Sequence, residues 1–126
     1  LQAQLTYYTA ITSNPINLNL PGWTQFYSDG GAQYRRALGE MIAQNQTIDM
    51  DLGVVFQPQI LSDERTASHA LVADCILDGS VARMPDGSLA EGSSPGVGQH
   101  GWLTYLDLLD GAWIVTNQGT VDGGCL

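Results

Sequence analysis

Three polar residues near the carboxyl end of the chain could share one patch of a sheet and do chemistry there. His100, Thr104 and Asn117 lie in two β-rich runs that flank the pair Asp110-Gly111. His100 could act as a general acid or base, because an imidazole exchanges protons near neutral pH, and Thr104 and Asn117 could orient a substrate. Alternatively, backbone groups near the open end of a hairpin form hydrogen bonds with all three side chains, because buried polar groups normally have such partners.

Aromatic side chains could line a pocket for a hydrophobic small molecule. They fall in the predicted helices and in the first β-rich run, and they are Tyr7, Tyr8, Trp23, Tyr27, Tyr34 and Trp102. The same rings could fill an ordinary core, because they occupy positions that a core needs. The predicted ligand-binding residues are Trp102, Thr104, Asn117, Tyr8, Trp23 and Tyr34.

Carboxylates offer a second chemistry. Asp74, Asp78 and Asp107 could supply an acid pair, but strand alternation places all three on the outer, solvated face. A β-bulge would reverse that placement for a whole strand. Asp49 and Asp51 could form a calcium site, although their spacing is not that of an EF-hand. No Cys or His pair has zinc-ligand spacing, so neither a metal nor a cofactor is predicted.

Composition narrows the class of partner. The chain has 126 residues, four basic residues (all Arg) and thirteen acidic ones, for a net charge of −9. Such a surface repels nucleic-acid phosphate and anionic lipid, so nucleic acid is excluded and a hydrophobic small molecule or a protein partner is expected. No run approaches the roughly 20 apolar residues of a membrane span, so no membrane insertion by this segment is expected.

Two cysteines, Cys75 and Cys125, could form one disulfide or remain two separate buried thiols. The sequence begins at Leu1, which fits either a removed leader or a trimmed chain. A disulfide in a small acidic chain is typical of an exported protein. These features together predict an extracytoplasmic location, either secreted or anchored to the cell envelope.

The strongest structural signal is a hairpin that turns at Asp110-Gly111, because this pair favours a type I′ turn. A two-residue turn places Leu106 opposite Val115 and Thr104 opposite Asn117. Alternation then puts His100, Trp102 and Trp113 on the inner face, whereas Tyr105, Asp107, Thr116 and Gln118 face outward.

Upstream, helical periodicity predicts helices over Leu1–Thr12, Gly22–Tyr27 and Ala32–Gln44. The first carries a stripe of Leu1, Leu5, Tyr8 and Ile11 or Thr12 at helical spacing. From Thr47 onward, apolar residues recur at every second position. This alternation predicts long strands over Thr47–Ile60 and Thr66–Met84, with His69 facing inward. Residues 90–97 are predicted to form a surface loop at a pocket rim.

This order predicts a single α+β domain over residues 1–126. Three N-terminal helices pack on one face of a curved, mostly antiparallel sheet of four or more strands. A parallel sheet is excluded because no helical stretch separates the strands.

Three patterns carry a resemblance to a known family: Tyr7-Tyr8-Thr9-Ala10-Ile11 in the first helix, Trp23/Phe26/Tyr27 before the third helix, and Asp110-Gly111-Ala112-Trp113 in the hairpin. The chain resembles the nuclear-transport-factor-2-like superfamily of cone-shaped α+β domains, including small exported actinobacterial members. The resemblance implies a small-molecule pocket between sheet and helices but transfers no catalytic motif. The extra hairpin that the family often has is not evident between Ser13 and Leu20.

Two functions follow as alternatives. One is a binding or interaction domain, such as a component of a larger assembly, with a hydrophobic cavity. The other is a small cyclase, isomerase or hydrolase that acts on a hydrophobic substrate with His100 as acid or base. The outer sheet face, with Tyr105, Thr116 and Gln118, could form a homodimer.

Overall fold

The three predicted helices are confirmed in a computed structural model that describes residues 1–13, 15–121 and 125. Helix α1 spans Gln2–Thr12, α2 spans Gly22–Phe26 and α3 spans Ala32–Ala43. Each helix agrees with its prediction to within one residue at either end. They precede every strand in the described part of the chain, which confirms the α+β order.

The main sheet is antiparallel and has five strands in the described residues, of which His69–Asp78 and Gly98–Leu109 lie at its centre. Its members are β2 (Val54–Val55), β3 (Pro58–Ile60), β4 (His69–Asp78), β6 (Gly98–Leu109) and β7 (Ala112–Thr120). Both β2 and β3 pair with the same edge of β4. The strands β1 (Thr47–Asp49) and β5 (Val81–Arg83) form a separate two-stranded ladder. A 3₁₀ turn, Ser62–Glu64, links β3 to β4.

The two long strands predicted upstream of the hairpin are wrong as continuous elements. The first breaks at a turn in which the Gly53 amide donates to the Met50 carbonyl at 2.8 Å, with Gly53 at φ +71°. The second breaks at Gly79, where the backbone passes so close to Leu52 that a Cβ at Gly79 would lie 2.4 Å from the Leu52 Cβ. A glycine is therefore required at that crossing.

The closing hairpin turns where predicted. Asp110 and Gly111 both have positive φ, at 49° and 81°, as a type I′ turn requires. Leu109 pairs with Ala112 and Leu106 pairs with Val115, which confirms the predicted register next to the turn.

Farther from the turn the predicted register is wrong by one residue. Thr116 is an extra residue on β7, a β-bulge opposite the Tyr105/Leu106 step, so Thr104 pairs with Gln118 instead of Asn117. The Thr116 hydroxyl donates to the Asp107 carboxylate at 2.7 Å on the outer face. Because a bulge reverses side-chain parity, Gln118 turns inward and Asn117 outward.

The predicted faces of β4 are also reversed. Asp74 and Asp78 point toward α1, whereas His69 lies on the outer face beside Asp107, with 3.0 Å between its Nδ1 and a carboxylate oxygen. Apolar residues occur on both faces of this strand, so alternation alone does not orient it. Both inward carboxylates are tolerated because each accepts two hydrogen bonds.

Helix α1 buries only part of the predicted stripe, because Ile11 is buried but Leu1 and Leu5 are not. Its buried residues are Ala3, Thr6, Ala10 and Ile11, whereas Leu1 and Leu5 are exposed. The small residues permit a close approach of α2, where a Cβ on Gly22 would lie 2.1 Å from the Thr6 hydroxyl oxygen. The core between the helices and the hairpin centres on Ala3, Ala10, Ile11, Ile16, Trp23, Tyr27, Leu38 and Val115.

Candidate functional site

A cavity of about 610 Å³ lies between helices α1 and α3 and the inner face of the sheet. Residues from α1 and from β4, β6 and β7 form its walls, and α3 lies across it. Its lining is Gln4, Tyr7, Tyr8, Tyr27, Gln33, Tyr34, Ala37, Ile76, Asp78, His100, Trp102, Gln118, Gly119 and Thr120. Gln33, Ala37, His100 and Thr120 are exposed, so they mark the mouth of the cavity.

Aromatic rings make up much of this lining. The Tyr7 ring lies 5.2 Å from Tyr8 at 89° and 5.1 Å from Tyr34 at 54°, measured between centroids and ring planes. Tyr27 contacts Tyr34 edge-on at 5.7 Å. Their varied tilts, together with Trp102 on the opposing strand, give the cavity several aromatic walls rather than one flat stack.

Asp78 supplies the carboxylate of the cavity. It accepts a hydrogen bond from the Tyr8 hydroxyl at 2.7 Å and another from the Ser80 amide at 2.7 Å. Burial, and then the bond to Asp78, raise the pKa of Tyr8 well above its usual range. Burial, and then the charge of Asp78, also raise the pKa of Tyr7. Both phenols therefore stay neutral at physiological pH.

A hydrogen-bonded chain crosses from α3 to the sheet. The Tyr34 hydroxyl donates to the Gln118 side-chain oxygen, and the Gln118 amide donates to the Thr104 hydroxyl at 3.0 Å. Burial, with the neighbouring Tyr7 second, raises the pKa of Tyr34 to about 12. The chain fixes the Tyr34 ring against the sheet and depends on the bulge that turns Gln118 inward.

The structure brings some of the predicted site residues together and separates others. His100, Trp102, Tyr8 and Tyr34 line the 610 Å³ cavity. Thr104 instead borders a second cavity of about 250 Å³ near Leu1 and Trp113. Trp113 is on the helix-facing side of the sheet but is 36% exposed, with the Arg65 guanidinium 4.6 Å above its ring.

Besides Thr104, two predicted ligand-binding residues are absent from the lining of the 610 Å³ cavity. Trp23 is 1% exposed and belongs to the core, where it contacts Tyr27 and Tyr34. Asn117 is exposed on the outer face, and the bulge at Thr116 is the physical reason. Its predicted position beside Thr104 is therefore wrong.

Sequence reasoning missed Asp78 and Gln118 as lining residues. The bulge that places Gln118 has no glycine or other signature in the run Val115-Thr116-Asn117. For Asp78 a signal did exist, since Asp78-Gly79-Ser80 is a turn sequence whose carboxylate caps the Ser80 amide. That signal marks a strand end but not the face on which the carboxylate lies.

The site contains no obvious metal centre. Within residues 1–13, 15–121 and 125, no group of three or more His, Cys, Asp or Glu side chains could hold a metal ion. The carboxylate of Asp49 accepts from the Arg83 guanidinium at 3.0 Å and from the Asp51 amide at 2.9 Å. Through its contact with Arg83, Asp49 links β1 to β5.

The predicted disulfide is confirmed. Cys75, on β4, is bonded to Cys125, with 5.1 Å between their Cα atoms. The bond therefore holds Cys125 against β4, and the Cys125 sulfur also lies 3.8 Å from the carbonyl oxygen of His100 on the neighbouring strand β6. None of the helices in the described residues is long and apolar enough to cross a membrane.

Comparison with solved structures shows that other proteins have a similar fold. The intermembrane space region of the chloroplast protein ARC6 superposes with a TM-score of 0.67 and 9% sequence identity, over 95% of this chain and 88% of the ARC6 chain. No protein-family model matches the sequence, and no curated protein matches it. At this identity the likeness establishes a shared α+β fold and nothing finer.

Proposed function

We propose that this chain is a nuclear-transport-factor-2-like domain that works outside the cytoplasm as a binding domain, holding a hydrophobic small molecule or an apolar segment of a protein partner in its cavity. The observation that carries the proposal is the aromatic cavity between α1, α3 and the sheet. Its volume of about 610 Å³ falls within the range of about 300–1,000 Å³ that is typical of ligand pockets.

The arrangement of polar groups favours binding over catalysis. A catalytic site would need His100, Thr104 and Asn117 to converge on one substrate. Instead, His100 lies at the exposed mouth, Thr104 is engaged by Gln118, and Asn117 is on the far face of the sheet. The polar lining can orient a ligand, as a few convergent polar groups do in most binding pockets.

The extracytoplasmic location rests on the disulfide. A bond between Cys75 and Cys125 persists in oxidising compartments and is rare in reducing ones. The fold shared with a region from the intermembrane space of a chloroplast protein is consistent with that location. The outer sheet face is proposed as a homodimer contact, with Tyr105 and Thr116 but without the inward-facing Gln118.

Binding of a neutral fluorescent probe tests the cavity. N-phenyl-1-naphthylamine brightens in apolar sites, so its emission should rise when it enters the aromatic cavity. Ala37→Trp places an indole at the mouth from an exposed helical position and should weaken probe binding about tenfold or more, because the added ring occupies ligand volume.

Ala43→Trp is the matched control, because Ala43 is exposed on the same helix but does not line the cavity. It should bind the probe as the wild type does. Equal binding by both variants would place the probe elsewhere, and no binding by the wild type would contradict a ligand-accepting cavity.

A further inference from the structure

The lining of the 610 Å³ cavity carries one carboxylate, no Lys or Arg, and one imidazole, that of His100 at the exposed mouth. Asp78 is the one acid among the lining residues, and neither Lys nor Arg is among them. Two of the arginines are engaged elsewhere, since Arg83 binds Asp49 and Arg65 covers Trp113. The chain as a whole carries a net charge of −9. An anionic ligand would therefore be repelled both at long range and within the cavity.

Aromatic rings surround this carboxylate in the arrangement that a positive charge favours. Tyr8 donates to Asp78 and touches Tyr7 edge to face at 5.2 Å, and Tyr7 in turn lies 5.1 Å from Tyr34. The faces of Tyr and Trp rings attract cations through their quadrupoles, most strongly where water is excluded. Because the rings meet at different angles, an ammonium group in the cavity would meet more than one of them.

The hydrogen bonds of Asp78 leave part of its charge available. It accepts one bond from Tyr8 and one from the Ser80 amide, each on a different oxygen. An ionised carboxylate has about four acceptor positions, so further lone pairs remain for a ligand. Both donors are neutral, and no Lys or Arg lines the cavity to neutralise the charge.

We propose that the preferred ligand is an organic cation: an amine or quaternary ammonium group attached to an apolar body. The positive group would lie among Tyr7, Tyr8 and Asp78, and the apolar body would lie against Trp102 and Tyr34. This inference rests on the proposed binding function and adds the charge of the ligand to it.

The test compares two probes of nearly equal shape that differ in charge, trimethylphenylammonium and tert-butylbenzene, each used to displace N-phenyl-1-naphthylamine. The cation should displace the reporter at a concentration about tenfold lower than its neutral isostere. Asp78→Asn keeps an acceptor for the Ser80 amide, can donate from its own amide to the Tyr8 hydroxyl oxygen, and removes the charge. It should therefore abolish that preference and leave tert-butylbenzene unchanged. Asp110→Asn, at the hairpin turn, removes the same charge elsewhere and should keep the preference, since Asn-Gly also favours a type I′ turn.

A second variant keeps the test decisive if Asp78→Asn does not fold by circular dichroism. Tyr7→Leu preserves an apolar wall but removes an aromatic face beside the positive group, and it should reduce the preference for the cation severalfold. Equal or tighter displacement by the neutral isostere in the wild type would overturn the inference and leave the proposed binding function standing. Absence of reporter binding would instead overturn the proposed function, and the inference with it.

Discussion

At the scale of single residues, the inner face of β4 shows how carboxylates can point into a protein without a cationic partner. Asp74 is 3% exposed, and accepts from the Gln4 side chain at 2.6 Å and from the Gln57 amide at 2.8 Å. It therefore joins α1, the β2–β3 connection and the sheet. Asp78 lies four residues farther along the same face of β4. It links the sheet to α1 through Tyr8 and also faces the cavity.

Removing the Asp74 carboxylate should be costly. Asp74→Ala removes two hydrogen bonds to a buried carboxylate, from the half-buried Gln4 side chain and the Gln57 backbone amide, and should lower the free energy of unfolding by about 2 kcal/mol. Asp63→Ala changes an exposed acid on the 3₁₀ turn and should stay within about 0.5 kcal/mol of the wild type. Urea unfolding followed by circular dichroism measures both. Equal stabilities for the two variants would contradict the linking role of Asp74.

The cavity tyrosines predict a loss of stability at alkaline pH. Burial raises the pKa of Tyr34 from 10.0 to about 12, and raises the pKa of Tyr7, Tyr8 and Tyr27 as well. A phenol with a higher pKa in the folded chain holds its proton more tightly there, so this stability is present below pH 10 and is lost as pH rises toward 12.

Urea unfolding from about pH 8 to about pH 11.5 should therefore show a falling free energy of unfolding. Tyr34→Phe should make that fall shallower, because it removes one of the titrating groups. A free energy of unfolding that stays constant over this range, with tyrosinate absorbance growing in the folded protein, would contradict the burial of these phenols.

At the scale of elements, the bulge in β7 decides which polar residue faces the helices. The turn at Asp110-Gly111 and the first pairs beside it follow from the sequence, because the turn type sets the local register. Thr116 then adds one residue, and everything beyond it changes face. Gln118 reaches Tyr34 and Thr104 as a result, and Asn117 does not.

Adjacent alanine substitutions test this register. Gln118→Ala removes the partner of both Tyr34 and Thr104 and should lower the free energy of unfolding by about 1–2 kcal/mol. Asn117→Ala should change it by less than about 0.5 kcal/mol, because the residue is exposed on the outer face. Thermal or urea unfolding of both variants measures the difference. The reverse order of effects would show that the strand has no bulge at Thr116.

Local sequence signals predict the helices, the hairpin turn and the order of elements. These signals are the helical periodicity of apolar residues, Pro or Gly at element boundaries, and the Asp-Gly turn pair. The faces of β4 and the outer half of β7 could not be predicted in this way. On β4 apolar residues occupy both faces, so the direction of Asp74 depends on distant donors at Gln4 and Gln57. The cavity was expected from the resemblance, but its carboxylate and its Gln118 bridge depend on tertiary contacts that no local pattern encodes.

At the scale of the whole molecule, two devices hold the layers around a space that side chains do not fill. Side-chain bonds from α1 to β4 and from α3 to β7 brace the helices across the cavity. The disulfide joins Cys75 in β4 to Cys125, beyond the end of β7, and so ties the tail across the strand that carries His100. An unfilled cavity lowers stability because its lining lacks packing contacts, and these links offset part of that loss of stability.

Loss of the disulfide should therefore lower stability without changing the fold. The bond closes a loop of 50 residues in the unfolded chain, for which a contribution of about 2–4 kcal/mol is typical. The double variant Cys75→Ser/Cys125→Ser should lose that amount in urea unfolding, and reduced wild-type protein should match it. Wild-type stability in the double variant, or alkylation of either cysteine before reduction, would contradict a native bond.

The most direct measurement of the central claim is a ¹H–¹⁵N NMR titration of the isotope-labelled protein with N-phenyl-1-naphthylamine. We expect saturable shifts confined to residues around the cavity, among them Tyr7, Tyr34, Trp102 and Gln118, with the outer-face residues Asp107 and Asn117 unmoved. Shifts centred on the outer face of the sheet, or no saturable shifts at all, would contradict a ligand-binding cavity between the helices and the sheet.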